Sequence, residues 1–200
     1  MLPLYRHKDH ILVCGCDEAG RGCLAGPVVA AAAVLPDDFS HPLLNDSKQL
    51  SRPHREELRA YIEEKALFYA IGIVDNTTID RINILQASIL AMHRAIEQLS
   101  TLPGYIVVDG NKFKPYAEIP FECVIKGDGK FSQIAAASIL AKTERDAIMK
   151  KIHLDFPEYN WTGNKGYPSQ EHRQAIRVHG TTPHHRMSYN LLGTKQLKMF

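Results

Sequence analysis

The chain has 200 residues, of which 44% are hydrophobic and 23% charged, with a formal net charge of +2. That length buries a full core without disulfide staples, and the composition excludes a disordered chain, a collagen-like rod and a coiled coil. No apolar run approaches the roughly 18 residues of a membrane-spanning helix; the longest, 27–35, is strand-sized.

Taken in chain order, 11–16 and 27–35 are small or β-branched apolar runs, read as adjacent strands joined by a loop containing Gly20, Gly22 and Gly26. Ser51 before Arg52-Pro53 starts a helix carried on Leu58, Tyr61 and Ile62. A third strand follows at 67–74. Thr77 and Asp80 resemble a capping pair. Behind them Ile82, Leu85, Ile89, Met92, Ile96 and Leu99 recur at steps of 3 and 4, predicting one long amphipathic helix. Pro103-Gly104 ends it, 105–108 is a short buried strand running into Asp109, and 121–125 is another strand. The segment 131–152 is helical with an Ala-rich centre. Beyond Asp155, prolines and glycines leave one helix, at 169–178. The pattern predicts an α/β fold, a mixed sheet with helices on both faces, followed by a small helical or irregular C-terminal part.

The net charge conceals an asymmetry. Residues 1–125 carry 12 Lys and Arg against 16 Asp and Glu, whereas 126–200 carry 12 against 6 and five of the ten histidines. This is either a solvated surface or a carboxylate-rich front with a phosphate-facing rear. Cys14, Cys16, Cys23 and Cys123 do not have zinc-site spacing and read as small core residues in a reducing compartment. The N-terminus lacks a signal-peptide stretch, so a cytoplasmic protein without a membrane segment is expected. His184-His185-Arg186 reads as a basic surface patch.

The sharpest chemistry lies at strand ends. Asp17 and Glu18 finish one apolar strand, Asp109 finishes another, and Asp128 follows a third and precedes the Ala-rich helix. Each acid alone has a plain reading as turn chemistry. Together they form an oxygen-donor set for Mg²⁺ or Mn²⁺, since carboxylates at a buried strand end need a compensating charge. Such a set suits two-metal phosphodiester cleavage, which requires no covalent nucleophile. Gly20-Arg21-Gly22 allows close main-chain approach to a phosphodiester. Lys48, Lys142 and Lys165 are candidate phosphate contacts, and Ser138 and Lys142, one helical turn apart, can face the site together.

In order along the chain, Asp17-Glu18-Ala-Gly20-Arg21-Gly22, Asn45-Asp46-Ser47-Lys48, Val-Asp109-Gly-Asn111, Lys126-Gly127-Asp128 with Ala-Ala-Ala-Ser138-Ile-Leu-Ala-Lys142, and Lys165-Gly166-Tyr167-Pro168 resemble bacterial type-2 ribonuclease H, the ribonuclease HII family. The resemblance spans about residues 11–189. It implies a ribonuclease H-like fold: a five-stranded mixed sheet flanked by helices, with a small helical C-terminal extension. Residues 1–155 would be the catalytic domain, and 156–200 the extension completing the substrate site. It further implies endonucleolytic cleavage of RNA in RNA–DNA hybrids and 5′ to single ribonucleotides in duplex DNA, leaving 3′-hydroxyl and 5′-phosphate ends, in ribonucleotide excision during DNA replication and repair. By this resemblance Asp17, Glu18, Asp109 and Asp128 hold Mn²⁺ or Mg²⁺. Gly20, Arg21 and Gly22 recognise the 2′-hydroxyl and adjacent phosphate, and Tyr167 packs on the sugar at the RNA–DNA junction.

Three positions depart from the family's habit: Cys16 for a β-branched residue, Cys23 for proline, and Asn164 for histidine before Lys-Gly-Tyr. They bear on loop rigidity and a phosphate contact and remove no carboxylate. Cys23, so near the site, suggests sensitivity to thiol oxidation. The ending Gln196 to Phe200 suggests a sliding-clamp contact, and a monomer is expected. Two alternatives remain open: a resolvase-type nuclease of the same fold, and a non-catalytic hybrid-binding module.

Overall fold

A computed structural model describes residues 1–9, 11–44 and 51–193. Lys48 and the C-terminal stretch from Gln196 to Phe200 lie outside the described residues.

Val13–Ala19 forms β1, the centre of a five-stranded mixed sheet. It pairs antiparallel with β2 (Val28–Val34), and β2 pairs antiparallel with β3 (Phe68–Val74). On its other side β1 runs parallel to β4 (Tyr105–Asp109), and β4 runs parallel to β5 (Phe121–Val124). The strand order is β3-β2-β1-β4-β5. β2 is buried throughout because helices cover both faces. On one face Cys14, Cys16, Ala30, Ala32 and Val108 pack with Ala87, Ala91 and Met92 of α3 (Ile84–Glu97). On the other, Ala31 and Ala33 meet Ala136, Ile139 and Leu140 of α4 (Ser132–His153), with Leu58 and Ile62 of α1 (Arg52–Lys65) alongside.

Small residues set the spacing on the α4 face. A Cβ at Gly15 would overlap the Gln133 backbone, so α4 crosses β1 in near main-chain contact. That proximity brings the middle of α4 over the C-terminal end of β1.

Three expectations are corrected. β1 extends through Ala19, so Asp17 and Glu18 lie within the strand, opposite Ala31 and Ala30 of β2, rather than beyond it. The single long helix is two, α2 (Asn76–Ile82) and α3, divided at Asn83 with φ 64°. The 3-and-4 spacing survives the break because both helices lie on the sheet, so periodicity alone could not show it. Asp75, not Thr77, caps α2, accepting from Thr78 N at 2.7 Å. Asp80 instead accepts from Met187 N and Ser188 N at 2.9 and 3.0 Å, tethering the C-terminal segment. Asn83 caps α3 by accepting from Leu85 N and Gln86 N. Asn83→Ala is expected to cost about 1–2 kcal/mol in urea unfolding, and Asn83→Gly clearly less, since glycine accepts the left-handed backbone.

The chain after α4 runs through a short turn at Pro157–Tyr159, α5 (Trp161–Asn164) and α6 (Gln170–His179). Tyr159, Trp161, Ala175 and Ile176 pack on Leu24, Ala25 and Met149, so this segment sits against the loop between β1 and β2. None of the described helices is long and apolar enough to cross a membrane.

Candidate active site

Strand alternation puts Gly15, Asp17 and Ala19 on the α4 face of β1 and Cys14, Cys16 and Glu18 on the α3 face. Cys16 stands opposite Val108 in the parallel β1–β4 pair, so Asp17 and Asp109 come next, side by side. Asp109 Oδ1 accepts from Gly127 N at 2.7 Å, tying the end of β4 to the turn before α4. That turn carries Asp128, only 5% exposed. From α4, buried Ser138 hydrogen-bonds Asp17, and Lys142 Nζ donates to Ser138 Oγ at 2.8 Å. Ser138 and Lys142, expected to face the site from one helical turn, thus bond each other on that turn of α4.

The electrostatics are unbalanced. Burial, then the charges of Glu18 and Asp109, push Asp17 up to about 8 from an ordinary 3.8, against smaller lowering effects of Ser138 and Lys142. Burial also raises Glu18, although Arg21 Nη1 sits 3.0 Å from its Oε1 and opposes the shift. The site has more negative charge than its own cations offset, and its donors are carboxylate oxygens. That is the environment a hard divalent cation suits. Among the described residues no three His, Cys, Asp or Glu side chains are gathered into a ready cation cage. Glu18 is turned to Arg21, and Asp109 to the Gly127 amide.

The loop after β1 is held from below by two buried arginines: Arg145, which sequence reasoning did not single out, and Arg186, which it read as a surface cation. Gly20 takes φ 98°, and a Cβ there would collide with the Arg145 side chain. Arg145 donates to the carbonyls of Pro27, Lys165 and Ala25 at 3.1, 2.8 and 3.0 Å. Arg186 donates to those of Gly26, Arg21 and Pro27 at 3.0, 3.0 and 3.1 Å. The expected surface patch is thus corrected: His185 and Arg186 are 1% and 0% exposed, because the loop's carbonyls solvate the guanidinium in place of water. An arginine inside the Ala-rich helix was the one available signal for Arg145.

Tyr167 is 50% exposed, next to this loop. Its ring would lie 3.9 Å from a Cβ at Gly22. Lys165 Nζ donates to Thr162 O at 2.8 Å, and the residue lines a cavity with Arg55, Arg59 and Lys150, alongside Glu56 and Asp146. Cys23 is wholly buried, and burial pushes its thiol up. The thiolate needed for oxidation is therefore scarce, contrary to the suggested oxidation sensitivity. Cys14 and Cys16 point the same way, as strand alternation requires, with sulfurs 3.9 Å apart.

The family model described as Ribonuclease HII matches residues 14–192. A curated ribonuclease HII of Bacteroides fragilis is 59% identical over 193 residues, covering 96% of each chain. That of Cytophaga hutchinsonii is 48% identical over 97% of this chain and 96% of its own. Among solved structures, ribonuclease H2 of Pyrococcus horikoshii superposes with a TM-score of 0.76 at 26% identity, covering 90% of this chain and 94% of that one. Ribonuclease HII of Archaeoglobus fulgidus, solved in complex with PCNA, gives 0.76 at 26%, covering 94% and 100%.

Proposed function

The chain belongs to the ribonuclease HII family and is a ribonuclease H, and from that premise we propose how its residues divide the work. Asp17, Glu18, Asp109 and Asp128 hold divalent cations, Mn²⁺ or Mg²⁺. When bound, such cations supply Lewis-acid stabilisation of the phosphate charge and an acidified water as nucleophile. Lys142, hydrogen-bonded to Ser138, keeps one positive charge beside Asp17. The observation that carries this reading is Asp17: a carboxyl buried among other acids and shifted far upward has a standing deficit of positive charge.

On the substrate side, Gly20, Arg21 and Gly22 present main chain to the 2′-hydroxyl, the group that distinguishes RNA from DNA, and to the adjacent phosphate. Tyr167 places its half-exposed ring on the neighbouring deoxyribose, where a 2′-hydroxyl would crowd it. Lys165 approaches the backbone from the cationic cavity. Residues 1–155 form the catalytic body, and 156–200 complete the substrate face. Gln196 to Phe200 are assigned as a sliding-clamp contact, in keeping with the PCNA complex of the Archaeoglobus relative. The biological role follows as excision of ribonucleotides during DNA replication and repair.

A DNA duplex containing one ribonucleotide, incubated with the protein and Mn²⁺, is expected to be cut 5′ to that nucleotide, leaving 3′-hydroxyl and 5′-phosphate ends. The matching all-DNA duplex should stay whole. Equal cutting of both would indicate a resolvase-type activity, and tight binding without cutting a hybrid-binding module; either overturns the proposal.

A further inference from the structure

The reading of Tyr167 leaves a physical question: what holds a half-exposed ring in register with a loop more than 140 residues earlier in the chain? The anchor is the backbone. Tyr167 N donates to Asn164 O at 2.9 Å, and Tyr167 O accepts from Ser169 N at 2.8 Å and from His172 Nδ1 at 2.9 Å. His172 is fully buried. Its Nε2 lies 3.0 Å from Trp161 Nε1 and 3.2 Å from His185 Nε2. His185 Nδ1 accepts from Thr182 N at 2.9 Å.

These partners dictate where the protons are. A backbone N–H and an indole N–H only donate, and a carbonyl only accepts. Thr182 N–H therefore requires a bare Nδ1 on His185, which puts that ring's proton on Nε2, facing His172. Trp161 N–H requires a bare Nε2 on His172, which puts its proton on Nδ1, facing the Tyr167 carbonyl. The two assignments agree at the His172–His185 contact, where one ring donates and the other accepts. A second proton on either ring would set two donors against each other. Two imidazole nitrogens so close would otherwise suit a shared cation. Here Trp161 already donates into that position, and the described residues supply no third ligand.

We propose that His172 and His185 are positioning residues, a one-directional relay of neutral imidazoles that fixes the Tyr167 backbone and so aims its ring at the ribose–deoxyribose junction. The inference rests on the reading of Tyr167 given above and names what enforces it. Burial, which lowers the pKa of both histidines and takes His185 to about 4, keeps the relay neutral under working conditions. The rings of Tyr159 and Trp161 enclose it, with centroids 5.0 and 5.5 Å from that of His185.

Two measurements test it. Heteronuclear NMR of the imidazole nitrogens in the unaltered protein at pH 7 should show His172 protonated on Nδ1 and His185 on Nε2. A proton on His172 Nε2 would overturn the relay whatever the variants do. The second is the ratio of cleavage rate at a single embedded ribonucleotide to that on a continuous RNA–DNA hybrid. Tyr167→Ala and His172→Leu should both lower this ratio by about tenfold or more. His172→Asn, whose amide nitrogen falls near the Nδ1 position, should recover much of the loss. An equal decline on both substrates in His172→Leu means that His172 is merely structural and sinks the relay. A ratio lowered by Tyr167→Ala but not by His172→Leu removes the relay and leaves the Tyr167 reading standing. A ratio unmoved by Tyr167→Ala removes that reading and the relay with it.

Discussion

Asp109→Asn is expected to lower cleavage of a single-ribonucleotide duplex by several orders of magnitude while leaving the fold intact. The isostere keeps an oxygen at Oδ1, so the 2.7 Å bond from Gly127 N, and with it the turn leading to Asp128 and α4, is preserved. Only the charge is lost. A thousandfold loss corresponds to about 4 kcal/mol of barrier, the scale expected when one of a few charges holding a catalytic cation disappears. Asp109 is also among the charges that raise Asp17 and Glu18. The variant should therefore be at least as stable as the parent without metal. Single-turnover cleavage and urea unfolding decide the matter together. Near-normal cleavage would remove Asp109 from the site, and a collapse in stability would show that the carboxylate serves the fold.

The second large effect is on stability. Asp17 titrates near 8 in the folded chain against an ordinary 3.8, so between those values the folded state holds a proton that the unfolded state has released. Its contribution is complete below about pH 4 and is lost as pH rises towards 8. His172 and His185 act oppositely: their folded values lie below the ordinary 6.5, so their contribution is present above 6.5 and is lost as pH falls through that range. From pH 4 to 6.5 the two effects oppose each other. From 6.5 to 8 the carboxylate stands alone, and the metal-free protein should lose stability with rising pH. Asp17→Asn should abolish that decline and exceed the parent by a few kcal/mol at pH 8, while being inactive. Mn²⁺ should raise the parent's Tm at pH 8 far more than the variant's, because a cation that binds only the folded state stabilises it by about 2.7 kcal/mol at hundredfold excess over Kd. A parent that is as stable as Asp17→Asn at pH 8 without metal would contradict the charge imbalance. On the expected result, a variant more stable at pH 8 yet inactive, catalysis and stability conflict at one carboxyl, as is usual at a site whose charges serve a ligand rather than the fold.

Much of this was readable residue by residue. The two apolar runs flanking the glycine loop became β1 and β2, and the Ala-rich segment became α4 over Ser132–His153. Asp109 indeed ends a buried strand. Two boundary errors have separate causes. Asn83 interrupts a periodic stretch without disturbing its spacing, because a left-handed residue that caps the next helix leaves the apolar face pointing at the same sheet. Asp17 and Glu18 stayed inside β1 because β2 pairs with them, a fact about a neighbouring strand rather than about their own residues.

Alternation, helical spacing and acids at strand ends act over a few positions, so the sequence by itself determined the α/β order and the mixed character of the sheet, and singled out the carboxylates that the proposed function uses. The tertiary structure alone decided which charges are hidden and what they hold. Arg186, read as a surface cation, bonds Arg21 O across 165 positions, and Asp80, read as a cap, anchors Met187 and Ser188 more than 100 positions away. The reason is physical: a buried guanidinium or imidazole is tolerable only where carbonyls or bare nitrogens replace its water. Those partners come from segments that the fold, not the local sequence, brings together.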